Sequence, residues 1–272
     1  MTDSIRDRAA RFRRLHGGPD VLLLANAWDA AGARLIESLG AKAIATTSAG
    51  VAWSHGYADG STLPVELLVA TVADIARAIS LPLSADIEDG YSADPAIAAD
   101  NIARVIDAGA VGINLEDGTG TPDLLCAKIE HAKRAAARQH VDLFINARTD
   151  VYLRKLAEGE AALQETISRA RRYRNAGCDG IFVPGVIDTA AIRTLVAAVE
   201  LPLNLLAWPG LPTAGELQGL GVRRLSAGGA IALAAWHRTR EAAGAFLRDG
   251  SRPAAAEPAL TSREMNALFA RG

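Results

Sequence analysis

The strongest constraint on this chain is an alternation of short apolar segments with amphipathic segments along almost its whole length. Eight apolar segments have the composition of buried strands, and they lie at residues 21–28, 43–48, 82–88, 112–117, 142–148, 180–184, 202–208 and 222–227. Helical spacing of apolar residues is clearest at 64–79, 94–108, 122–139, 159–176 and 188–199. Strands without polar alternation are buried on both faces, as in a parallel sheet. Eight such units favour an α/β fold, a closed (β/α)₈ barrel of the TIM type.

An open, doubly wound parallel sheet is the alternative fold for such a repeat. Dinucleotide-binding members carry a G-x-G-x-x-G turn after the first strand, whereas this chain has AWDAAG there. We therefore expect residues 1–228 to form the barrel with an N-terminal helix. Residues 229–272 would form the last helix and a C-terminal tail, in which 249–258 resembles a linker and 260–270 a short helix. Because this extension lies outside the repeat, we expect it to pack on a partner subunit.

Charge and cysteine content exclude several functional classes. The 29 Lys and Arg residues nearly balance the 31 Asp and Glu residues, so electrostatics give no reason to expect binding to nucleic acid or to an anionic membrane. Cys126 and Cys178 stand alone in the sequence, which argues against a zinc site or a disulfide framework and is typical of a reducing compartment. The N-terminus is charged throughout, and no apolar run approaches the ~20 residues that span a bilayer. We therefore expect a cytoplasmic protein.

Polar side chains collect where the predicted strands end. In a barrel of this type, the carboxyl ends of the strands form the active site. The residues at these ends are Trp28, Asp29, Thr47, Ser48, Asp86, Glu88, Glu116, Asp117, Arg148, Asp150, Asn204 and Ser226. Any one of them could cap the following helix, because Asp and Ser are common N-cap residues. The whole set is better explained by a site that binds a metal ion or an anion.

Three of these carboxylates predict a metal site. Asp86 and Glu88 are two residues apart, so both side chains point to one face of their strand. With Glu116 from the neighbouring strand they would form an all-oxygen cluster, the ligand set of Mg²⁺ or Mn²⁺ held partly through water. The alternative is a carboxylate cluster neutralised by arginines. We favour the metal, because three carboxylates in one pocket repel one another unless a cation lies between them.

Arg148 ends the fifth strand, opposite this cluster. It could pair with the carboxylates, but its planar fork also matches a substrate carboxylate. Backbone N–H groups of Thr47, Ser48 and Ala49 could bind the same anion in the manner of an oxyanion hole. A metal ion, an arginine and N–H groups together suit a small acid with adjacent oxygen functions.

The lysine positions narrow the chemistry further. Schiff-base aldolases on this barrel need a lysine at a strand end. Lys42 lies at the start of a strand, and Lys128, Lys133 and Lys155 lie on predicted helices or loops. Imine chemistry is therefore not expected, and stabilisation of an enolate by a metal ion remains.

Four segments in this order resemble the isocitrate lyase and phosphoenolpyruvate mutase superfamily over roughly residues 20–230. They are NAWDAAGARLIESLGAKAIATTSAGVA at 26–52, LPLSADIEDGY at 81–91, AGAVGINLEDG at 108–118 and INARTDVYL at 145–153.

This resemblance implies both a site and an assembly. It implies Mg²⁺ bound near Asp86, Glu88 and Glu116, with Arg148, Asp59 and Glu116 as catalytic residues. The implied substrate-binding residues are Trp28, Thr47, Ser48, Ala49, Arg148 and Asn204. Members of the superfamily commonly exchange their last barrel helix within dimers that pair into tetramers. The C-terminal extension would then be exchanged between subunits of a homodimer or homotetramer.

Three segments depart from the lyases of this superfamily. Their loop after the residue matching Glu116 carries a catalytic cysteine, whereas this chain has the short segment EDGTGTPDLLCAK, in which Cys126 is expected to pack in the next helix. Gly185 lies where many lyases have a glutamate. Gly228 and Gly229 lie where an arginine usually meets a second substrate carboxylate, although they could instead bind phosphate at a helix N-terminus.

The leading functional hypothesis is a Mg²⁺-dependent lyase whose substrate is a small carboxylic acid. It would cleave a C–C bond of a 2-hydroxy or 2-oxo di- or tricarboxylic acid through a metal-stabilised enolate, in the manner of methylisocitrate and isocitrate lyases. Decarboxylation of oxaloacetate is the second hypothesis, because solvent could supply its proton. A third is phosphoenolpyruvate or phosphonopyruvate chemistry by a mutase or hydrolase, and a fourth is a non-catalytic barrel that binds a 2-oxo acid.

Overall fold

Nine parallel strands form a barrel that alternates with helices along the chain. The computed structural model describes residues 4–250 and 260–270. The strands are β1 (Leu22–Leu24), β2 (Asn26–Ala27), β3 (Ile44–Thr46), β4 (Leu83–Asp86), β5 (Gly112–Glu116), β6 (Phe144–Arg148), β7 (Gly180–Val183), β8 (Leu203–Leu206) and β9 (Arg224–Ser226). The helices are α1 (Ile5–Gly17), α2 (Ala30–Ser38), α3 (Ser48–Ser54), α4 (Val65–Ala78), α5 (Pro95–Asp107), α6 (Pro122–Arg138), α7 (Gly159–Asn175), α8 (Thr189–Val199), α9 (Ala214–Leu220), α10 (Ala230–Asp249) and α11 (Ser262–Phe269). The predicted (β/α)₈ fold of the TIM type is confirmed.

The barrel closes through its first strand, which is split into two short segments. Leu22 of β1 pairs with Arg224 of β9, whereas Asn26 of β2 pairs with Ala45 of β3. All other neighbours along the sheet follow chain order. The single strand predicted at 21–28 is therefore observed as two halves, of which the first pairs with β9 and the second pairs with β3. This arrangement nearly closes the sheet into a barrel and brings the carboxyl ends of all strands to one rim.

Helix α1 covers the opposite end of the barrel. Phe12 packs edge-on against His16 and Phe144, with ring centroids 4.7 and 5.6 Å away, and the His16 ring stacks on Phe144 at 4.0 Å. Gly112, at the start of β5, leaves room for the Phe12 ring, because a Cβ there would lie 2.5 Å from Cε1 of Phe12. The aromatic cluster thus closes the amino-terminal end of the barrel and leaves the carboxyl end for the site.

The barrel interior contains a buried arginine among amide and hydroxyl groups. Arg224 is 1% exposed, and its Nη2 donates to Oδ1 of Asn114 at 3.1 Å while its Nε donates to Oγ of Ser226 at 3.4 Å. The same Asn114 oxygen accepts from Nδ2 of Asn146 at 2.9 Å. Within residues 4–250 and 260–270, no carboxylate forms a salt bridge with Arg224, and burial lowers its pKa to about 9. The interior beneath the site is therefore polar and carries one positive charge.

The C-terminal helices lie outside the barrel repeat. Of the residues in α10, only Ala232 is buried. Helix α11 lies against α2, where Nε of Arg34 donates to the carbonyl oxygen of Leu268 at 2.7 Å. The short helix predicted at 260–270 is confirmed, whereas most of the predicted linker at 249–258 lies outside the described residues. Among the residues described, no helix is both long and apolar enough to cross a bilayer.

The buried His16 predicts that stability depends on pH. Its Nδ1 donates to the Phe12 carbonyl at 2.9 Å, and burial lowers the pKa of His16 from 6.5 to about 3. Between these two values the unfolded chain binds more protons than the native one, so the free energy of unfolding falls as pH falls. From pH 6.5 to pH 5 the parent protein should lose about 2 kcal/mol more than His16→Phe, as measured by urea unfolding.

The matched control is His140, which is exposed and is not part of the aromatic cluster of Phe12, His16 and Phe144. His140 adopts a φ of 57°, a conformation that Asn tolerates, so His140→Asn should keep the pH dependence of the parent. Parallel stability curves for His16→Phe and the parent would contradict the prediction.

Candidate functional site

Three neighbouring strands bring the predicted acidic and basic side chains together at the carboxyl rim. Asp86 ends β4, Glu116 ends β5 and Arg148 ends β6, and Glu116 lies in register with Arg148. Asp86 and Glu88 are buried, and the Glu116 and Arg148 side chains are only 11% and 16% exposed. The structure therefore assembles the predicted cluster of three carboxylates and one arginine.

Glu88 is held in an unusual backbone conformation just beyond β4. Its φ is 50°, a left-handed value that is uncommon for residues other than glycine. Its carbonyl oxygen accepts from the N–H of Glu116 at 2.9 Å, and its Oε1 accepts from the Tyr91 hydroxyl at 2.9 Å. Its Oε2 accepts from the backbone N–H of Ser61. These bonds fix both carboxylate oxygens and offset the cost of the strained backbone.

Arg148 is already surrounded by carboxylates. Its Nη1 lies 2.7 Å from Oε2 of Glu116, and its Nε and Nη2 donate to the two oxygens of Asp150 at 2.7 and 3.2 Å. A guanidinium has five N–H donors, so these three contacts leave two for another anion. Arg148 thus pairs with the carboxylates of the cluster and keeps capacity for a substrate carboxylate.

Asp86 has the weakest hydrogen bonds of the three acids. Its Oδ2 accepts from the N–H of Ser48 at 3.3 Å, and its Oδ1 accepts from the N–H of Glu88 at 3.4 Å, both long for such bonds. Burial raises the pKa of Asp86 and of Glu88. Burial also raises the pKa of Glu116 to about 8; the neighbouring charge of Asp86 adds to this rise, and Arg148 opposes it.

This donor set fits one divalent cation bound mainly through water. As the side chains are placed, residues 4–250 and 260–270 contain no cluster of three His, Cys, Asp or Glu residues ready to coordinate an ion directly. Both oxygens of Asp86 have only long hydrogen bonds among the described residues, whereas Glu88 is bonded to Tyr91 and Ser61 through both oxygens and Glu116 is ion-paired with Arg148 through Oε2. Mg²⁺ commonly binds one or two carboxylates and keeps several waters. Asp86 could therefore be a direct ligand, with Glu88 and Glu116 contacting bound water.

The turn before α3 has fewer free N–H groups for binding an anion than the sequence predicted. The N–H of Thr47 donates to the Ala27 carbonyl at 3.1 Å, and the N–H of Ser48 donates to Asp86, so two of the three predicted anion-binding groups are already used. Trp28 lies beside this turn, since a Cβ at Gly50 would be 2.9 Å from its Cβ. Thr46, which was not predicted, accepts from the N–H of Asp86 at 2.7 Å.

Two predicted residues lie away from the cluster. Asn204 is fully buried inside the barrel, where its Oδ1 accepts from Oγ of Ser226 at 3.1 Å and its Nδ2 has no hydrogen-bond partner among the residues described. As placed, it belongs to the interior polar network. Asp59 lies in an exposed loop above the rim, and its charge adds to the raised pKa of Asp86 and Glu88.

A second layer of polar contacts supports the loop after β5, and the local sequence around Asp117 does not reveal it. Oδ2 of Asp117 accepts from the Tyr173 hydroxyl at 2.6 Å and from Nη1 of Arg169 at 2.9 Å. Its Oδ1 accepts from the N–H of Asp150 at 2.9 Å, which ties this loop to the strand end that carries Arg148. Asp117 was recognised as a strand-end acid, but its partners lie 52 and 56 residues away on α7.

A cleft of about 300 Å³ leads from this cluster to solvent, and we call it the entrance cleft. It is lined by Gly60, Ser61, Glu88, Asp89, Ala93, Glu116, Asp117, Gly118, Thr119, Gly120, Thr121, Leu124, Leu125, Lys128 and Arg154. The buried Lys128 donates from Nζ to the Asp89 carbonyl at 2.6 Å, so it supports the loop that carries Glu88. Cys126 lies on α6 as expected, partly buried against the core, and burial raises its pKa.

Comparisons with known proteins agree with this architecture. A model of the phosphoenolpyruvate phosphomutase family matches residues 12–247. The Mycobacterium tuberculosis (strain H37Rv) protein Rv1998c, described as uncharacterized, is 39% identical over 222 residues, which are 80% of this chain and 81% of that protein. An oxaloacetate decarboxylase of Pseudomonas aeruginosa is 31% identical over 211 residues, 70% of this chain and 69% of that protein. A 2-methylisocitrate lyase of Bacillus subtilis is 27% identical over 213 residues, which are 74% of this chain and 67% of that protein.

Solved structures share the whole fold. A candidate lyase/mutase from Burkholderia cenocepacia J2315 superposes with a TM-score of 0.88 at 36% identity, over 98% of this chain and 97% of that chain. A 2,3-dimethylmalate lyase superposes with a TM-score of 0.84 at 26% identity, over 96% and 94%.

The contacts of Asp117 predict that a substitution outside the cleft, at Tyr173, lowers the free energy of unfolding. Tyr173→Phe removes one hydrogen bond to a buried carboxylate, so the free energy of unfolding should fall by about 1–3 kcal/mol in urea titrations. Tyr57→Phe, at an exposed tyrosine, is the control and should stay within about 0.5 kcal/mol of the parent. Equal stability of the two variants would contradict this role of Tyr173.

Proposed function

The chain belongs to the phosphoenolpyruvate phosphomutase family, and we propose that it cleaves a C–C bond of a small 2-hydroxy di- or tricarboxylic acid to release a 2-oxo acid and a second carboxylic acid. The family confirms the resemblance to the isocitrate lyase and phosphoenolpyruvate mutase superfamily, whose members are lyases and mutases, so the chain is an enzyme. The observation that carries the proposal is the buried cluster of Asp86, Glu88 and Glu116 opposite Arg148. The relatedness to a 2-methylisocitrate lyase and a 2,3-dimethylmalate lyase supports this reaction class.

The inner end of the entrance cleft would bind the 2-hydroxy acid group. The two remaining N–H donors of Arg148 would pair with the carboxylate next to the hydroxyl carbon. A divalent cation, held by Asp86 and through water by Glu88 and Glu116, would supply positive charge beside the hydroxyl oxygen when bound. Tyr91 and Ser61 fix the Glu88 carboxylate, and Asp150 fixes Arg148, so the site is arranged before substrate enters.

Bond cleavage would start with loss of the hydroxyl proton. Glu116 is the best placed base, because it lines the entrance cleft and no described residue forms a hydrogen bond or ion pair with its Oε1, and burial raises its pKa above that of an exposed carboxyl group. The electrons of the O–H bond form the carbonyl of the 2-oxo acid, and the adjacent C–C bond breaks. Its electron pair moves onto the neighbouring carbon and into the carboxylate there. That carbon takes a proton from water, since residues 118–121 carry no acidic side chain and Asp117 is bound to Tyr173.

Decarboxylation of oxaloacetate is a second candidate, favoured by the same short loop. Here the C3–C4 bond breaks, the electron pair forms the enolate of pyruvate, and CO₂ leaves. No base is required, and water protonates C3, so a loop without an acid suffices. The oxaloacetate decarboxylase of Pseudomonas aeruginosa, at 31% identity, supports this candidate.

Product analysis tests the proposal and separates the two candidates. Purified protein with Mg²⁺ should release pyruvate or glyoxylate from at least one of 2,3-dimethylmalate, 2-methylisocitrate and isocitrate. Chelation should abolish turnover, and added Mg²⁺ should restore it. Asp86→Asn should lower kcat/KM by about 100- to 1000-fold, because it removes the buried charge at the centre of the cluster.

Asp74→Asn, on the exposed surface of α4, is the matched control and should keep full activity. Consumption of oxaloacetate alone would reject cleavage of hydroxy acids and leave decarboxylation. Full activity of Asp86→Asn would overturn the role of the cluster in both reactions.

We also propose that α10 packs on a second copy of this chain. Helix α10 has 20 residues and exposes Leu233, Trp236 and Leu247, whose exposed fractions are 56%, 41% and 81%. A helix of this length with one buried residue is stable mainly when another surface covers its apolar side chains. Under two-fold symmetry each copy presents the same helix, so one contact covers both.

A charge in this face should break the assembly. Trp236→Glu should shift the protein towards monomers in sedimentation equilibrium, because the carboxylate would be buried without a partner. Leu39→Glu, at the exposed end of α2, is the control and should keep the parent mass. A monomeric parent protein at micromolar concentration would reject the proposal.

A further inference from the structure

The entrance cleft contains a cation, Arg154, that has no role in the proposed metal site or in binding of the 2-hydroxy acid group. Arg154 follows β6 and is 44% exposed, and its Nε donates to Oδ2 of Asp150 at 2.8 Å. Among residues 4–250 and 260–270, its Nη1 and Nη2 make no hydrogen bond. Lys128, the other cation of the cleft, is buried and donates to the Asp89 carbonyl. Arg154 is therefore the cleft cation that can still bind an anion.

The Arg154 guanidinium faces the carboxylate cluster across a residue without a side chain. A Cβ placed on Gly118 would lie 4.0 Å from Nη2 of Arg154 and 3.8 Å from Oε1 of Glu116. These two atoms are therefore no more than about 8 Å apart, and both lie beside Gly118. A four- or five-carbon dicarboxylic acid can span this separation, and the missing side chain leaves the passage open.

The charges along the cleft match such a ligand. Asp150 accepts from Arg148 on both oxygens and from Arg154 on Oδ2, so one buried carboxylate fixes the direction of both guanidinium groups. Arg148, with a side chain only 16% exposed, is paired with Glu116, which lines the cleft, whereas the more exposed Arg154 lines the cleft itself. A guanidinium binds a carboxylate through two parallel N–H···O bonds, and the terminal nitrogens of Arg154 are available for such a pair.

We propose that Arg154 binds the distal carboxylate of a dicarboxylic acid and so determines the substrate class of this enzyme. This inference rests on the proposed cleavage of a 2-hydroxy dicarboxylic acid. In that reaction the electron pair of the breaking bond moves into the distal carboxylate, so Arg154 contacts the group whose negative charge increases. Its contribution should therefore be greater in the transition state than in the bound substrate.

Two probes that differ only in the distal carboxylate test this role. Malate and lactate share the 2-hydroxy acid group, but lactate lacks the second carboxylate. In calorimetric titrations with Mg²⁺, the parent protein should bind malate more tightly than lactate. Arg154→Gln should reduce the ratio of malate to lactate affinity by about 10- to 100-fold, and Arg154→Lys should restore part of it. Arg134→Gln, an exposed arginine on α6 that pairs with Glu130, should leave the ratio unchanged.

The outcomes distinguish this inference from the proposed function. If the parent binds both acids with equal affinity, or if Arg154→Gln weakens both equally, the role of Arg154 is overturned while the proposed site at Asp86 and Arg148 stands. If the parent binds neither acid but still releases a 2-oxo acid from 2,3-dimethylmalate, the role of Arg154 is overturned and the proposed function stands; if it does neither, both proposals fail. Thermal unfolding of Arg154→Gln identifies a structural effect, because loss of the bond to Asp150 alone would lower stability and shift both affinities together.

Discussion

The structure depends on an excess of negative charge buried at one end of the barrel. Asp86, Glu88 and Glu116 lie together with a single arginine, Arg148, between Glu116 and Asp150. Buried carboxylates repel one another and lose hydration, and both effects favour protonation. The raised pKa values of the three acids reflect this cost. The fold tolerates it because the surrounding contacts hold each carboxylate in place, and a cation or a substrate that enters the cleft can lower the cost.

The supporting contacts come from helices rather than from the rim itself. Arg169 and Tyr173 on α7 hold Asp117, and Lys128 on α6 holds the carbonyl of Asp89. Each of these contacts fixes a loop next to a member of the cluster. The left-handed backbone at Glu88 is a local strain that such a framework can maintain. The positions of the reacting groups thus depend on side chains that are not members of the carboxylate cluster.

Much of the fold could be predicted from local sequence, because helix and strand periodicity are local properties. The helix expected at 122–139 is observed as Pro122–Arg138, and Asp94 caps α5 with Pro95 in its first turn. The carboxylate cluster was also predictable, since strand ends of a barrel share one rim. The break at Ala25 was not, because it results from pairing with two different strands. Pairing of Arg148 with the cluster was anticipated, but its double bond to Asp150 and the burial of Asn204 were not, since both depend on how the side chains pack in three dimensions.

The buried arginine inside the barrel connects the core to the site. Arg224 has amide and hydroxyl partners but no carboxylate partner among the described residues, and its Nη1 has no hydrogen bond. An apolar side chain of similar size would cost the core less than an unpaired cation does. The negative charge that favours the cationic form of Arg224 is that of Asp86, which ends β4. The interior therefore supplies part of the positive charge that the rim lacks, and core stability and the electrostatics of the cluster are coupled through this residue.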